Sequence, residues 1–167
     1  MSASRVAMAA GGVSLLLILG ALGFQYLADF PPCEMCHWQR WPHIAAAIVG
    51  ILGGSFLSMR AQKGETAMTL AVLTLVLVAA SGAIGAYQAG VEWQFLPGPA
   101  ACTGPPMLLT GSLTDLNHHV VRCDIAAWRL FGISLAGYNA LISFVTVAAG
   151  AWLLTRRDAF RNSRTLK

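Results

Sequence analysis

The sequence is poor in charge. Only 11% of its 167 residues are Asp, Glu, Lys or Arg, whereas 56% are apolar. A soluble domain carries about 25% charged residues, so a soluble domain does not fit. The mean hydropathy of +0.63 asks for lipid as the solvent of most of the surface. The 11 basic residues form no continuous stripe and sit between long apolar runs, which leaves no electrostatic footprint for nucleic acid. An internal repeat, a low-complexity tract and a second domain are all missing. The chain reads as one integral membrane domain, with the lipid bilayer as its first partner.

Four stretches free of charge run over residues 6–28, 41–59, 66–91 and 130–155. Crossing about 30 Å of hydrocarbon takes about 20 helical residues, so each is long enough to span. A fifth uncharged stretch, 93–114, fails because Pro97, Pro99, Pro105 and Pro106 break it. The first span follows Arg5 as a secretory signal would. Its apolar run is longer than the roughly 7–15 residues of a signal core and no small-x-small cleavage site follows, so it is expected to be retained. The expected fold is all-α, a four-helix transmembrane bundle with one short outer loop, 29–40, and one long outer loop, 92–129.

Four spans place both termini on one side. Arg5, Arg60, Lys63, Arg156, Arg157, Arg161, Arg164 and Lys167 fall on that side, and Arg40, Arg122 and Arg129 on the other. This bias makes the termini cytoplasmic. Trp38, Trp41, Trp93 and Trp128 sit at outer span ends and Trp152 near an inner end, as in an interfacial belt. The basic tail reads as a topology anchor beside anionic lipid. In the long loop, Met107, Leu108, Leu109, Leu113 and Leu116 suit a short amphipathic stretch on the membrane surface.

No cysteine lies within a span or on the cytoplasmic side. Cys33, Cys36, Cys102 and Cys123 all fall in the two outer loops, where an oxidising compartment makes disulfides the default. In Pro31-Pro32-Cys33-Glu34-Met35-Cys36 two prolines precede a C-x-x-C, and proline suits the first turn of a helix. The cysteines should therefore open the second span. A bridge across so short a loop stabilises little, whereas a helix start and a nearby cation favour the reactive thiolate. Arg40, four residues after Cys36, shares its helical face. Its guanidinium at the membrane surface also suits a quinone head group, whose oxygens gain negative charge on reduction. Two dithiol pairs on one membrane face allow thiol–disulfide exchange in series.

Two rival chemistries use the same residues. Cys33-x-x-Cys36-His37 reads as a c-type haem attachment motif, which would make the chain a membrane electron carrier but leave Cys102 and Cys123 without a role. A zinc site from the four cysteines with His118 and His119 would want two C-x-x-C units, and only one is present. No metal is therefore expected. Two purely structural disulfides are the remaining alternative.

The chain resembles the DsbB family of bacterial inner-membrane thiol oxidases over nearly its whole length. The resemblance is carried by P-C-x-x-C-x-x-x-R at Pro32 to Arg40, YQAGVEWQFLPGPAACTG at Tyr87 to Gly104, and RCDIAAWRLFGISLAGYNALIS at Arg122 to Ser143. It implies redox-active disulfides Cys33–Cys36 and Cys102–Cys123. It further implies that Cys102 meets a periplasmic DsbA-like thiol oxidase with Cys123 as its loop partner. Cys36 would be the thiolate facing the quinone, Cys33 the exchange partner towards the loop, and Arg40 the quinone-binding residue. The acceptor would be ubiquinone or menaquinone from the membrane pool. Gln88 stands where many members carry His, Gln39 precedes the arginine where some carry an acid, and Pro42 and His43 are expected to kink the second span.

Overall fold

The computed structural model describes residues 2–60, 64–103 and 121–165, with the backbone alone for 157–165. The amphipathic stretch expected between Met107 and Leu116, and His118 and His119, lie outside the described residues. Four helices are long and apolar enough to cross a membrane. They are α1 (Ala3–Leu27), α2 (Glu34–Met59), α3 (Glu65–Glu92) and the first part, Leu135–Arg156, of α5 (Leu135–Thr165). Between α3 and α5 lie the short helix α4 (Ala100–Thr103) and a two-stranded hairpin, β1 (Arg129–Leu130) with β2 (Ile133–Ser134).

Two boundaries differ from the limits set by charge. Helix α2 begins at Glu34, inside the stretch read as loop 29–40, because Glu34 and Arg40 end an uncharged run without ending a helix. An acid in the first turn even suits the helix dipole. Helix α5 begins at Leu135 rather than 130, because Phe131 (φ 50°) and Gly132 (φ 81°) form the turn of the hairpin. Positive φ at both central residues is what a tight two-residue hairpin turn asks for. Ser134 then starts α5 by accepting the Gly137 N–H at 3.2 Å.

The bundle is built with small side chains inside and large ones outside. Ala3, Ala7, Ala10, Ala46, Ala67 and Ala71 are buried, while Leu16, Leu19, Leu52, Val76 and Val145 are exposed. Lipid solvates those large chains as well as a protein core would, so close backbone approach and polar bonds between helices remain to hold the helices together. The tightest approach is Gly50 of α2 against Gly11 of α1, where a Cβ on Gly50 would lie 2.5 Å from the Ala7 carbonyl oxygen and 3.0 Å from Gly11 Cα. Residues Ile48–Gly53 form a π-helical turn within α2, six residues after Pro42, which has no N–H to give to the ladder.

Gly50→Leu is expected to destabilise the solubilised protein by about 1–3 kcal/mol, the usual range for overpacking. Gly12→Leu, where an added Cβ meets nothing within 4 Å, should leave the melting temperature unchanged. Equal melting temperatures for both variants would rule out the close crossing.

Candidate functional site: a cysteine cluster beside a cavity

Cys33 stands at the N-cap of α2, and its sulfur accepts the Cys36 N–H at 3.2 Å. Pro31 and Pro32 lead the chain into this cap. Cys33 and Cys36 are both thiols, whereas Cys102 and Cys123 are joined by a disulfide with Cα atoms 5.4 Å apart. Cys102 sits on the short helix α4, and the Cys123 N–H donates to the Cys102 carbonyl at 3.0 Å. Buried Cys33, Met35, Cys102 and Cys123 form one cluster, with Cys36 and Val121 packed against it. Two pairs far apart in sequence thus meet in one place.

Shared hydrogen bonding with Cys36, and then burial, push the Cys33 thiol above the usual cysteine value.

A cavity of about 420 Å³ adjoins the cluster between α1, α2, α3, α5 and the segment before the hairpin. Cys36 and Arg40 both line it, one helical turn apart. Phe24, Phe30 and Trp128 form an aromatic side to the cavity, with ring centroids 6.2 Å apart for Phe24–Phe30 and 5.1 Å for Phe24–Trp128. Most of the remaining wall is aliphatic. Arg40 Nη1 donates to Gln25 Oε1 of α1 at 2.6 Å, and among the described residues no ion pair ties it down. A largely apolar cavity with a few convergent polar groups is the usual form of a small-molecule site.

The polar side of that cavity was not legible from motifs. Gln88 Nε2 lies 3.4 Å from Cys33 Sγ and 3.6 Å from Cys36 Sγ, and donates to Glu92 Oε1 at 3.0 Å. Gln39 Nε2 donates to Gln88 Oε1 at 2.6 Å, and Asn139 Nδ2 to Gln39 Oε1 at 2.7 Å. His43 bridges Asn139 Oδ1, 2.7 Å from Nε2, and Ser14 Oγ, 3.1 Å from Nδ1. Gly85 leaves room for the middle of this chain, since a Cβ there would lie 3.0 Å from Asn139 Nδ2. The available signal was a polar residue inside three of the four apolar runs: His43, Gln88 and Asn139. Such residues at membrane depth are costly unless paired, and they tend to mark function.

His37, which the haem reading needs as axial ligand, is exposed and absent from the cavity lining. With Cys102 and Cys123 bonded to each other in the same cluster, the haem alternative finds no support.

The model of the family described as "Disulfide bond formation protein DsbB" matches residues 3–153. Several curated relatives carry the name disulfide bond formation protein B. The one from Shewanella sp. (strain MR-4) is 29% identical over 151 residues, covering 80% of this chain and 82% of its own. That from Burkholderia ambifaria is 28% identical over 174 residues, covering 93% and 92%. A shorter match to the protein of Alkalilimnicola ehrlichii reaches 49% over 41 residues, a quarter of each chain. No solved structure matches the chain.

Arg122 and Asp124 flank Cys123 and form a two-pronged ion pair, with Nε donating to Oδ1 at 2.9 Å and Nη2 to Oδ2 at 2.5 Å. The Arg122 hydrogen bonds hold the Asp124 carboxyl below the usual carboxylate range. A depressed acid stabilises above its unfolded value and loses that contribution as pH falls through its folded value. The fork should therefore persist at neutral pH and open only below about pH 4. Asp124→Asn should mimic the acid state at neutral pH. Amide exchange at Cys123 is then expected to speed up about two- to fivefold, since an ion pair near the surface contributes only modestly. An unchanged exchange rate would show that the fork does not pin this cysteine.

Proposed function

The chain belongs to the DsbB family of disulfide bond formation proteins, and from this we propose an electron relay through its two cysteine pairs. It is a multi-pass membrane thiol oxidoreductase. In the proposed relay it reoxidises a periplasmic DsbA-like dithiol oxidase and passes the electrons to a membrane quinone, ubiquinone or menaquinone. The positive-inside bias supports an inner-membrane orientation with both termini in the cytoplasm. The observation that carries the reading is the packing of Cys36 against a buried cluster of Cys33, Cys102 and Cys123 that adjoins an apolar cavity.

Each transfer moves two electrons and two protons. A thiolate of the partner attacks Cys102, breaking the Cys102–Cys123 bond. Resolution of the mixed disulfide leaves the partner oxidised and the outer pair as two thiols. Exchange between the clustered pairs returns the outer disulfide by reducing a Cys33–Cys36 disulfide to the two thiols. The inner pair would then be reoxidised at the cavity, where a bound quinone would supply the two-electron, two-proton acceptor chemistry. Cys33 accepts exchange from the outer pair, and Cys36 holds the thiolate on the cavity side. The cavity suits a quinone head group in volume and character, being apolar along its walls and carrying Arg40 where negative charge would arise on a ring oxygen. Arg40 is held by the neutral Gln25 rather than by an acid, so its charge remains available.

The test is quinone loss, followed optically, after adding a reduced periplasmic dithiol protein to the purified, detergent-solubilised chain. Turnover is expected in the parent chain and is expected to be abolished by Cys102→Ser, Cys33→Ser or Cys36→Ser. Wild-type turnover in any of the three would refute a serial relay. Arg40→Ala should raise the quinone KM about tenfold or more, the worth of a charge-assisted hydrogen bond, while thiol exchange with the partner continues at the parent rate.

A further inference from the structure

We propose that Gln88 is a catalytic residue of the inner thiol pair, its side-chain amide donating to sulfur and holding the negative charge that arises there during exchange. Gln39 and Asn139 act as positioning residues that keep the N–H end of that amide towards sulfur. The inference rests on the Cys33–Cys36 pair being a redox centre, as proposed above.

A glutamine side chain presents either its oxygen or its nitrogen to a neighbour, and only the nitrogen stabilises an anion. Here the choice is forced from both sides. Gln88 Oε1 accepts from Gln39 Nε2 at 2.6 Å, while Gln88 Nε2 donates to Glu92 Oε1 at 3.0 Å and reaches both sulfurs within 3.6 Å. Turning the amide over would set two donors face to face and two oxygens face to face. The Cys36 thiol also faces Gln88 Oε1, at 3.9 Å, but that oxygen is already taken by the much shorter bond from Gln39.

The orientation of Gln39 is fixed in turn. Its Nε2 also donates to the Met35 carbonyl at 3.3 Å, and its Oε1 accepts from Asn139. Asn139 is locked by Ser81 on its nitrogen, at 3.2 Å from Oγ, and by His43 and Ser143 on its oxygen. From His43 to Asn139 to Gln39 to Gln88 every donor points the same way, and the row ends at sulfur. Aligned hydrogen bonds polarise one another in a low-dielectric interior, so the whole row favours negative charge at its sulfur end. Glu92 is the acidic group facing Gln88, and the amide lies between its carboxyl and the sulfurs. The nearby cations have other partners: Arg40 donates to Gln25, Arg129 to the Glu92 main-chain carbonyl at 3.2 Å, and Arg122 to Asp124. When a thiol of the pair ionises, the S–H bond breaks, the electron pair stays on sulfur and the proton leaves to solvent. Gln88 neither gains nor loses a proton.

The test uses the full solubilised chain carrying Cys102→Ser and Cys123→Ser, so that only the inner pair reacts. The rate of alkylation by iodoacetamide is measured against pH. Gln88→Leu is expected to move the midpoint up by about one pH unit, a tenfold fall in the acid dissociation constant of the thiol. Gln88→Glu should move it at least as far. Asn139→Leu, which touches neither sulfur, should move it about half as far, and Gln88→His should restore it by offering a ring N–H. Midpoints for Gln88→Leu and Gln88→Glu that coincide with the parent's would overturn the proposal. Should Gln88→Leu lose its helical circular dichroism, the near-isosteric Gln88→Glu decides alone. Quinone reduction by the four-cysteine chain is scored separately. Its absence would remove the relay while the midpoints still judge Gln88.

Discussion

Hydrocarbon offers no hydrogen bonds, so each polar group carried into it must find a partner inside the protein. In this bundle much of that demand is met by one connected row of side chains running from Ser14 through His43, Asn139, Gln39 and Gln88 to the sulfurs of Cys33 and Cys36. The row takes members from α1, α2, α3 and α5, which makes it both glue and site. The helices must adopt these rotations for their polar groups to be satisfied, and those same rotations bring Cys36 and Arg40 to one cavity. Helix packing and the surroundings of the two thiols are thus tied to one set of bonds.

The molecule divides along the membrane normal. One half, where the cores of α1, α2 and α3 meet through Ala3, Ala7, Ala46, Ala67 and Ala71, is dense and built of small residues. The other half holds the cysteine cluster, the cavity and the aromatic side formed by Phe24, Phe30 and Trp128. Gly50 packed on Gly11 belongs to the first half, and the π-helical turn beside it lets α2 pass Pro42 and still meet α1 closely. Close packing at one end therefore leaves the other end free to open around a small molecule.

What sequence made legible here depended on the range of the signal. The C-x-x-C after two prolines, and Arg40 one turn later, are local, and the helix start could be read from a few residues. The four spans followed from charge and apolar length, and the cysteine-bearing segments from what lies between them. The hairpin at 129–134 was absorbed into the fourth span because Leu130, Phe131 and Ile133 are as apolar as a helix would be, and the turn rests on backbone angles at Phe131 and Gly132. The meeting of the outer disulfide with the inner thiols, and the bond of Arg40 to Gln25, depend on how four helices rotate against one another. No spacing rule within a single segment encodes that rotation, so Asn139 stood out only as a polar letter in an apolar run, and Gln88 and Gln39 only as departures from the family pattern, with nothing to show that the three are bonded in a row.

The cap of α2 is made of sulfur, since Cys33 Sγ accepts the Cys36 N–H. A helix cap of oxygen is permanent, whereas a sulfur acceptor changes with its bonding, because a sulfur tied into a disulfide carries less electron density for the N–H. The first turn of α2 is thus held by a side chain whose acceptor strength depends on what its sulfur is bonded to, so the opening amide of this helix is tied to the chemical state of one cysteine.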